Sequence, residues 1–309
     1  MPSYSSKSKQ QKNKTKKSKD RRSLQKQSKS RSQKNKTKNR SKSQPRISEN
    51  NLPLFLETYN NERSELNIIG SGGQGIVYEH KNIEDSVFKV SSKEEGCRQW
   101  DIEVNKINHL KDSNINEKYV KLVEFKNFHK DLNTNTCILE LEKVTNPLDK
   151  TTTVIQPLFG ENETFKHDPK RGYYISIDLL IREHDMLLID LKNIIVDLAK
   201  FLANMHFKAK MDGNDIEFFL SFDKQTKKPI IIVADFDLVE NITNYDKDII
   251  DNIIWGMTNI EFIPLPFVSK GIDKLFKIFS DNYIETASKY NKKEVAEQII
   301  TRIIDENNL

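Results

Sequence analysis

The sequence predicts an α+β domain behind a long basic tail: a small antiparallel sheet with one helix, then a mainly helical part. Three observations lead there. The first 47 of the 309 residues hold 18 Lys and Arg and one acid, Asp20, and almost nothing apolar. Between about residues 66 and 143, short β-branched runs alternate with turns and surround one stretch of helical spacing. From about residue 190 onward, apolar residues recur mostly at three- and four-residue steps, interrupted by a single hairpin-like segment.

The tail, residues 1–49, carries Lys, Arg, Ser, Gln, Asn and Thr. Such a segment cannot bury enough surface to offset an ordering cost of about 1–2 kcal/mol per residue, so it is expected to be disordered. Its first 47 residues carry +17, leaving 32 basic and 44 acidic residues, a balance of −12, on the remainder. The run could contact nucleic acid, serve as a nuclear localisation signal or be phosphorylated; it could equally be a solvated tail or fold back on the acidic body. Beyond Tyr4 it has no aromatic residue on which a base could stack. It lacks the apolar core of a secretory signal, and no run of about 18 apolar residues occurs anywhere, so no membrane span is expected. Cys97 and Cys137 are two isolated cysteines. They argue against a disulfide framework and for an intracellular setting, nucleus or cytoplasm. No spacing of Cys or His suggests zinc.

The segment from residue 50 to 144 contains Gly70-Ser-Gly72-Gly-Gln-Gly75-Ile-Val77-Tyr78. Glycines at 70, 72 and 75 let a turn tighten and approach a phosphate, since no Cβ intervenes. Ile76, Val77 and Tyr78 suit a returning strand. A dinucleotide fingerprint would need a helix after the glycines, and a P-loop would need Gly-Lys-Ser/Thr; neither follows. A hairpin with a flexible tip remains the plain alternative. Lys89 stands in an apolar Val-Phe-Lys-Val, fourteen residues after Gly75. A helix is expected over Gly96–Leu110. Ile102, Lys106 and His109 share one spacing, and Glu103, Ile107 and Leu110 the next, so Glu103 could meet Lys89; Glu94, Glu95 and Asp101 are rival partners. Strands are expected at Lys118–Phe128 and Thr136–Lys143, ending at Asn146-Pro147.

The segment from 145 to 309 begins with a polar stretch, 145–175, expected as an insertion or loop with a short strand near Thr153–Leu158. A helix follows over Asp190–Phe207, with Ile194, Ile195, Leu198, Phe201, Leu202 and Met205 on its buried face. Then come Met-Asp212-Gly-Asn-Asp215-Ile-Glu217, an apolar strand, a polar turn, and Ile-Ile-Ile-Val-Ala-Asp235-Phe-Asp237. Asp235 ends a buried strand, so its carboxylate would project from a strand tip. Helices are expected over Asp246–Met257, Gly271–Lys289 and Lys293–Ile304.

Glycine loop, lysine, helix, acidic loop and acid-tipped strand, in this order, resemble a two-lobed protein-kinase-like fold with a small antiparallel sheet lobe and a mainly helical lobe. The resemblance implies that Gly70, Gly72, Gly75 and Val77 cover a nucleotide, and that Lys89, set by Glu103, pairs with its phosphates. It implies Asp212 as the base, with Asp215 competing, and Glu217 and Asp235 as ligands of Mg2+. Several positions depart from the pattern: Lys210-Met211 precede Asp212, Asn214 stands where a lysine is usual, Glu217 replaces asparagine, Asp237 replaces glycine, and no Ala-Pro-Glu follows. Residues 206–220, His-Phe-Lys-Ala-Lys-Met-Asp-Gly-Asn-Asp-Ile-Glu-Phe-Phe-Leu, with Asp235-Phe236 and Ile263-Pro-Leu-Pro266, more closely resemble an atypical kinase-like domain family of unknown function, found mainly in fungal proteins labelled zinc-finger protein. The resemblance implies ATP and Mg2+ as ligands and either γ-phosphate transfer to a protein or small-molecule hydroxyl, or a pseudokinase that binds an unknown protein partner without turnover. A nucleic-acid role through residues 1–47 is the third expectation.

Overall fold

The computed structural model describes residues 51–61, 63–73, 75–131, 134–144, 155–159, 165–168, 172–176, 181, 187–223, 225–258, 262–266 and 273–307. The tail expectations and most of the 145–175 stretch lie outside them. Residues 48–309 form one compact unit. It is α+β, with two largely antiparallel sheets and several helices. No helix among the described residues is long and apolar enough to cross a membrane.

The first sheet has five antiparallel strands in the order β1-β2-β3-β6-β5. They are β1 (Leu66–Ser71), β2 (Ile76–His80), β3 (Ile83–Ser91), β5 (Phe125–Asp131) and β6 (Thr136–Glu142). Period-two alternation gives this sheet two faces. On one, Tyr78, Phe88, Val90 and Ile138 pack with Leu52 and Phe55 of helix α1 (Leu52–Asn61). Phe55 stacks on Phe88 with ring centroids 4.0 Å apart. On the other, Cys137, Leu139 and Leu141 meet helix α2 (Glu94–Asp112) through Cys97, Trp100, Ile107 and Leu110. Glu94 and Glu95 in its first turn, and His109 and Lys111 in its last, suit the α2 dipole.

The expected continuous strand at 118–128 is split. Strand β4 (Val120–Leu122) leaves the first sheet and pairs in parallel with β11 (Pro229–Ala234), while β5 stays behind. The second sheet runs β4-β11-β10-β7-β9-β8. Its other members are β7 (Ile155–Leu158), β8 (Phe165–Asp168), β9 (Gly172–Ser176) and β10 (Glu217–Phe222). The later part of the chain therefore contributes five strands to a sheet, more than a mainly helical segment would. β7 falls where a short strand was expected; β8 and β9 lie in a stretch read as loop.

Helix α3 (Leu188–Ala203) buries Leu191, Ile194, Ile195, Leu198, Phe201 and Leu202, and packs on α5 (Asp273–Ser288). It runs on into a π-helical turn, Asn204–Ala209. Two further helices are α4 (Lys247–Thr258) and α6 (Lys293–Glu306).

The two cysteines are not isolated: Cys97 and Cys137 form a disulfide, with Cα atoms 5.4 Å apart. Cys97 begins the buried stripe of α2, and Cys137 lies on the strand face that α2 covers, so folding juxtaposes residues 40 apart in sequence. The cysteine count therefore carries no argument for a reducing compartment.

Candidate functional site

Lys89 is the centre of the site. On β3, Phe88 and Val90 point to α1, so alternation turns Lys89 to the α2 side. Val77 is its register partner on β2, and Leu139 on β6. Glu103 lies on the buried stripe of α2 and is fully buried; its Oε2 is 3.3 Å from Lys89 Nζ. Asp235 Oδ1, at the end of β11, is 2.9 Å from the same nitrogen. Of the rival acids, Glu95 instead pairs with Arg98 at 2.8 Å. Burial works against the Lys89 charge, but Glu103 and Asp235 outweigh it and hold its pKa above the ordinary lysine value. Removing Lys89 would leave the buried Glu103 without its countercharge, a loss of about 3–5 kcal/mol.

Asp235 has φ +64°, a left-handed conformation that a non-glycine residue adopts only where its surroundings enforce it. Its side chain is 37% exposed, the most open group of the cluster. Glu217 pairs in register with Ala234, so it opens β10 one position from Asp235 on the adjacent strand. Both are carboxylates, an oxygen ligand of the kind Mg2+ takes beside phosphate and water. Among the described residues, no group of three or more His, Cys, Asp or Glu is gathered for a metal.

The glycine loop joins β1 and β2, with Gly70 opposite Val77 and Ser71 opposite Ile76. Gly72 N–H donates to the Gly75 carbonyl at 2.9 Å. The glycines have different reasons to be there. A Cβ on Gly75 would collide with the Val90 carbonyl and come 2.9 Å from Trp100 Cζ2, so packing against β3 and α2 demands glycine. A Cβ on Gly72 or Gly73 would meet nothing within 4 Å.

Asp212 lies deeper than a base beside an open substrate cleft. It is 1% exposed. Its Oδ1 accepts the backbone N–H of Glu240 at 2.9 Å and of Asn214 at 3.1 Å. Oδ2 is buried with no hydrogen-bond partner. Burial raises its pKa above the usual carboxylate range. The π-helical turn, a left-handed Lys210 (φ +57°) and a bridge between Met211 and Asn241 deliver it there. Gly213 (φ +71°) packs tightly on Met205. Asp215 is exposed, also in a left-handed conformation (φ +60°). His206 is fully buried, its Nδ1 2.7 Å from Tyr283 Oη, and burial lowers its pKa to about 3.

The structure thus gathers Lys89, Glu103 and Asp235 in direct contact, with Val77 and Glu217 one strand away, and holds Asp212 by the backbone at Glu240. Sequence reading placed Lys106 and His109 on a helix face without a role. Lys106 Nζ in fact donates to the Asp237 carbonyl at 2.6 Å, and His109 Nε2 lies 2.9 Å from the Ala209 carbonyl. No protein-family model matches the chain, and no curated protein matches its sequence.

Proposed function

We propose that the chain has a two-lobed protein-kinase-like fold that binds MgATP beside Lys89 and transfers the γ-phosphate to a hydroxyl of a protein or small molecule. The observation that carries this reading is the single ammonium held between the buried Glu103 and the half-exposed Asp235. A cation fixed in that way has little freedom to lose on meeting a phosphate. Asp235 and Glu217 would hold Mg2+, which when bound neutralises phosphate charge. In the transfer, the substrate oxygen bonds to the γ-phosphorus as the bond to the β-phosphate oxygen breaks. The hydroxyl proton passes to Asp212, whose raised pKa suits it to receive one.

A second reading has its own support. Asp212 is 1% exposed, so no hydroxyl reaches it without movement of the segments around Asn214 and Glu240. Nucleotide binding without turnover, a pseudokinase serving a protein partner, follows if those segments stay in place.

The test is incubation of the full chain with γ-labelled MgATP and pooled protein and small-molecule acceptors. Label transfer that is lost in Lys89→Met and Asp235→Asn supports the enzyme. Transfer that survives both variants assigns the activity elsewhere, and nucleotide binding with no transfer selects the pseudokinase.

A further inference from the structure

Helix α2 reaches three functional segments through residues spaced three apart. Glu103 takes Lys89 of β3; Lys106 takes the carbonyl of Asp237, two residues past Asp235; His109 takes the carbonyl of Ala209, at the end of the π-helical turn that leads to Asp212. Three residues advance a helix by roughly 300°, so successive contacts rotate about 60° around its surface and address neighbouring segments.

Lys106 has a specific task in this set. The turn it holds contains Asp235 in the left-handed conformation, which lasts only where neighbours over-determine it. Lys89 fixes the carboxylate of that residue, Phe236 is fully buried, and Asp237 Oδ1 accepts the N–H of Leu238 at 2.9 Å. Lys106 fixes the carbonyl at the far end. The charges acting on Lys106 come from Asp237, Asp212, Glu103 and Glu240, drawn from both sides of the site.

We propose that Lys106 is a positioning residue: by holding the Asp237 carbonyl it keeps the Asp235 turn in the conformation that presents the Asp235 carboxylate beside Lys89. Its effect on MgATP rests on the function proposed above; its effect on the turn does not.

The test uses the full chain, as wild type, Lys106→Met and Lys106→Arg. Hydrogen exchange without nucleotide should quicken at the amides of residues 236–240 by about tenfold or more in Lys106→Met, and return to within about threefold of wild type in Lys106→Arg. Unchanged exchange at those amides overturns the proposal, as does quickening spread evenly over α2 and both sheets, which would report only lost stability. At fixed ATP, the Mg2+ concentration for half-maximal nucleotide binding should rise about tenfold in Lys106→Met and recover in Lys106→Arg. An equal requirement in all three proteins refutes the link to Asp235. If wild type binds no MgATP, the proposed function fails, while the exchange measurement still decides the role of Lys106.

Discussion

Reducing the Cys97–Cys137 bond is a perturbation whose size can be worked from the structure. The bond closes a loop of 40 residues between α2 and β6. In the chain-entropy picture, releasing a loop of that length from the denatured ensemble lowers stability by about 4 kcal/mol at 25 °C. For a unit of this size, each kcal/mol moves the midpoint by about 2–4 °C, so the expected fall is about 8–16 °C. The bond anchors the first turn of α2, and Glu103 lies six residues further along the same helix. Reduction should therefore loosen the hold of Glu103 on Lys89 as well as lower the midpoint. The assay is thermal denaturation of the same purified protein, oxidised and reduced, with thiol alkylation and intact mass recording the state. Comparing one sequence in two states avoids the cost of placing Ser or Ala in a packed core. Equal midpoints for the two states, or two alkylatable thiols in protein purified without reductant, would refute the reasoning.

Two further perturbations separate packing from function and charge from burial. Gly75→Ala should destabilise by about 1–3 kcal/mol through its clash with the Val90 carbonyl and Trp100, whereas Gly72→Ala should leave stability within about 0.5 kcal/mol and lower nucleotide affinity instead; equal urea midpoints for the two variants would contradict this. His206 has a folded-state pKa of about 3 against an ordinary 6.5, so between these values the unfolded chain binds the extra proton. Stability is then full above about pH 6.5 and falls as pH drops toward 3, by up to about 1.4 kcal/mol per pH unit. Urea titrations from pH 7 to 4 should show this slope in wild type and a flatter one in His206→Gln; identical slopes would assign the acid sensitivity to other groups.

The parts of the site legible in the sequence are those whose signal is local. Gly70 to Tyr78, Lys89 in its apolar strand, and Asp235 at the end of Ile-Ile-Ile-Val-Ala each carry their context within a few residues. Glu103 was legible as a candidate because helical spacing placed it with Ile107 and Leu110 on what proved the buried stripe of α2. What the sequence hid depends on long-range packing. Lys106 finds the Asp237 carbonyl 131 residues away, and no periodicity announces a lysine whose partner is a backbone oxygen. The disulfide required knowing that α2 lies over β6. Helix α1 is short, and its buried residues make sense only against Phe88. β8 and β9 span four and five residues, too few for alternation to distinguish strand from loop.

The most direct test of the central claim is a thermal shift of the full chain with MgATP, for wild type and Lys89→Met. At a free nucleotide concentration about 100 times Kd, binding should stabilise wild type by about 2.7 kcal/mol, or about 5–11 °C. Lys89→Met should lose this shift, because in the proposed function Lys89, held by Glu103 and Asp235, is the cation that meets the phosphates. A shift of equal size in Lys89→Met, or none in wild type at millimolar MgATP, would contradict it.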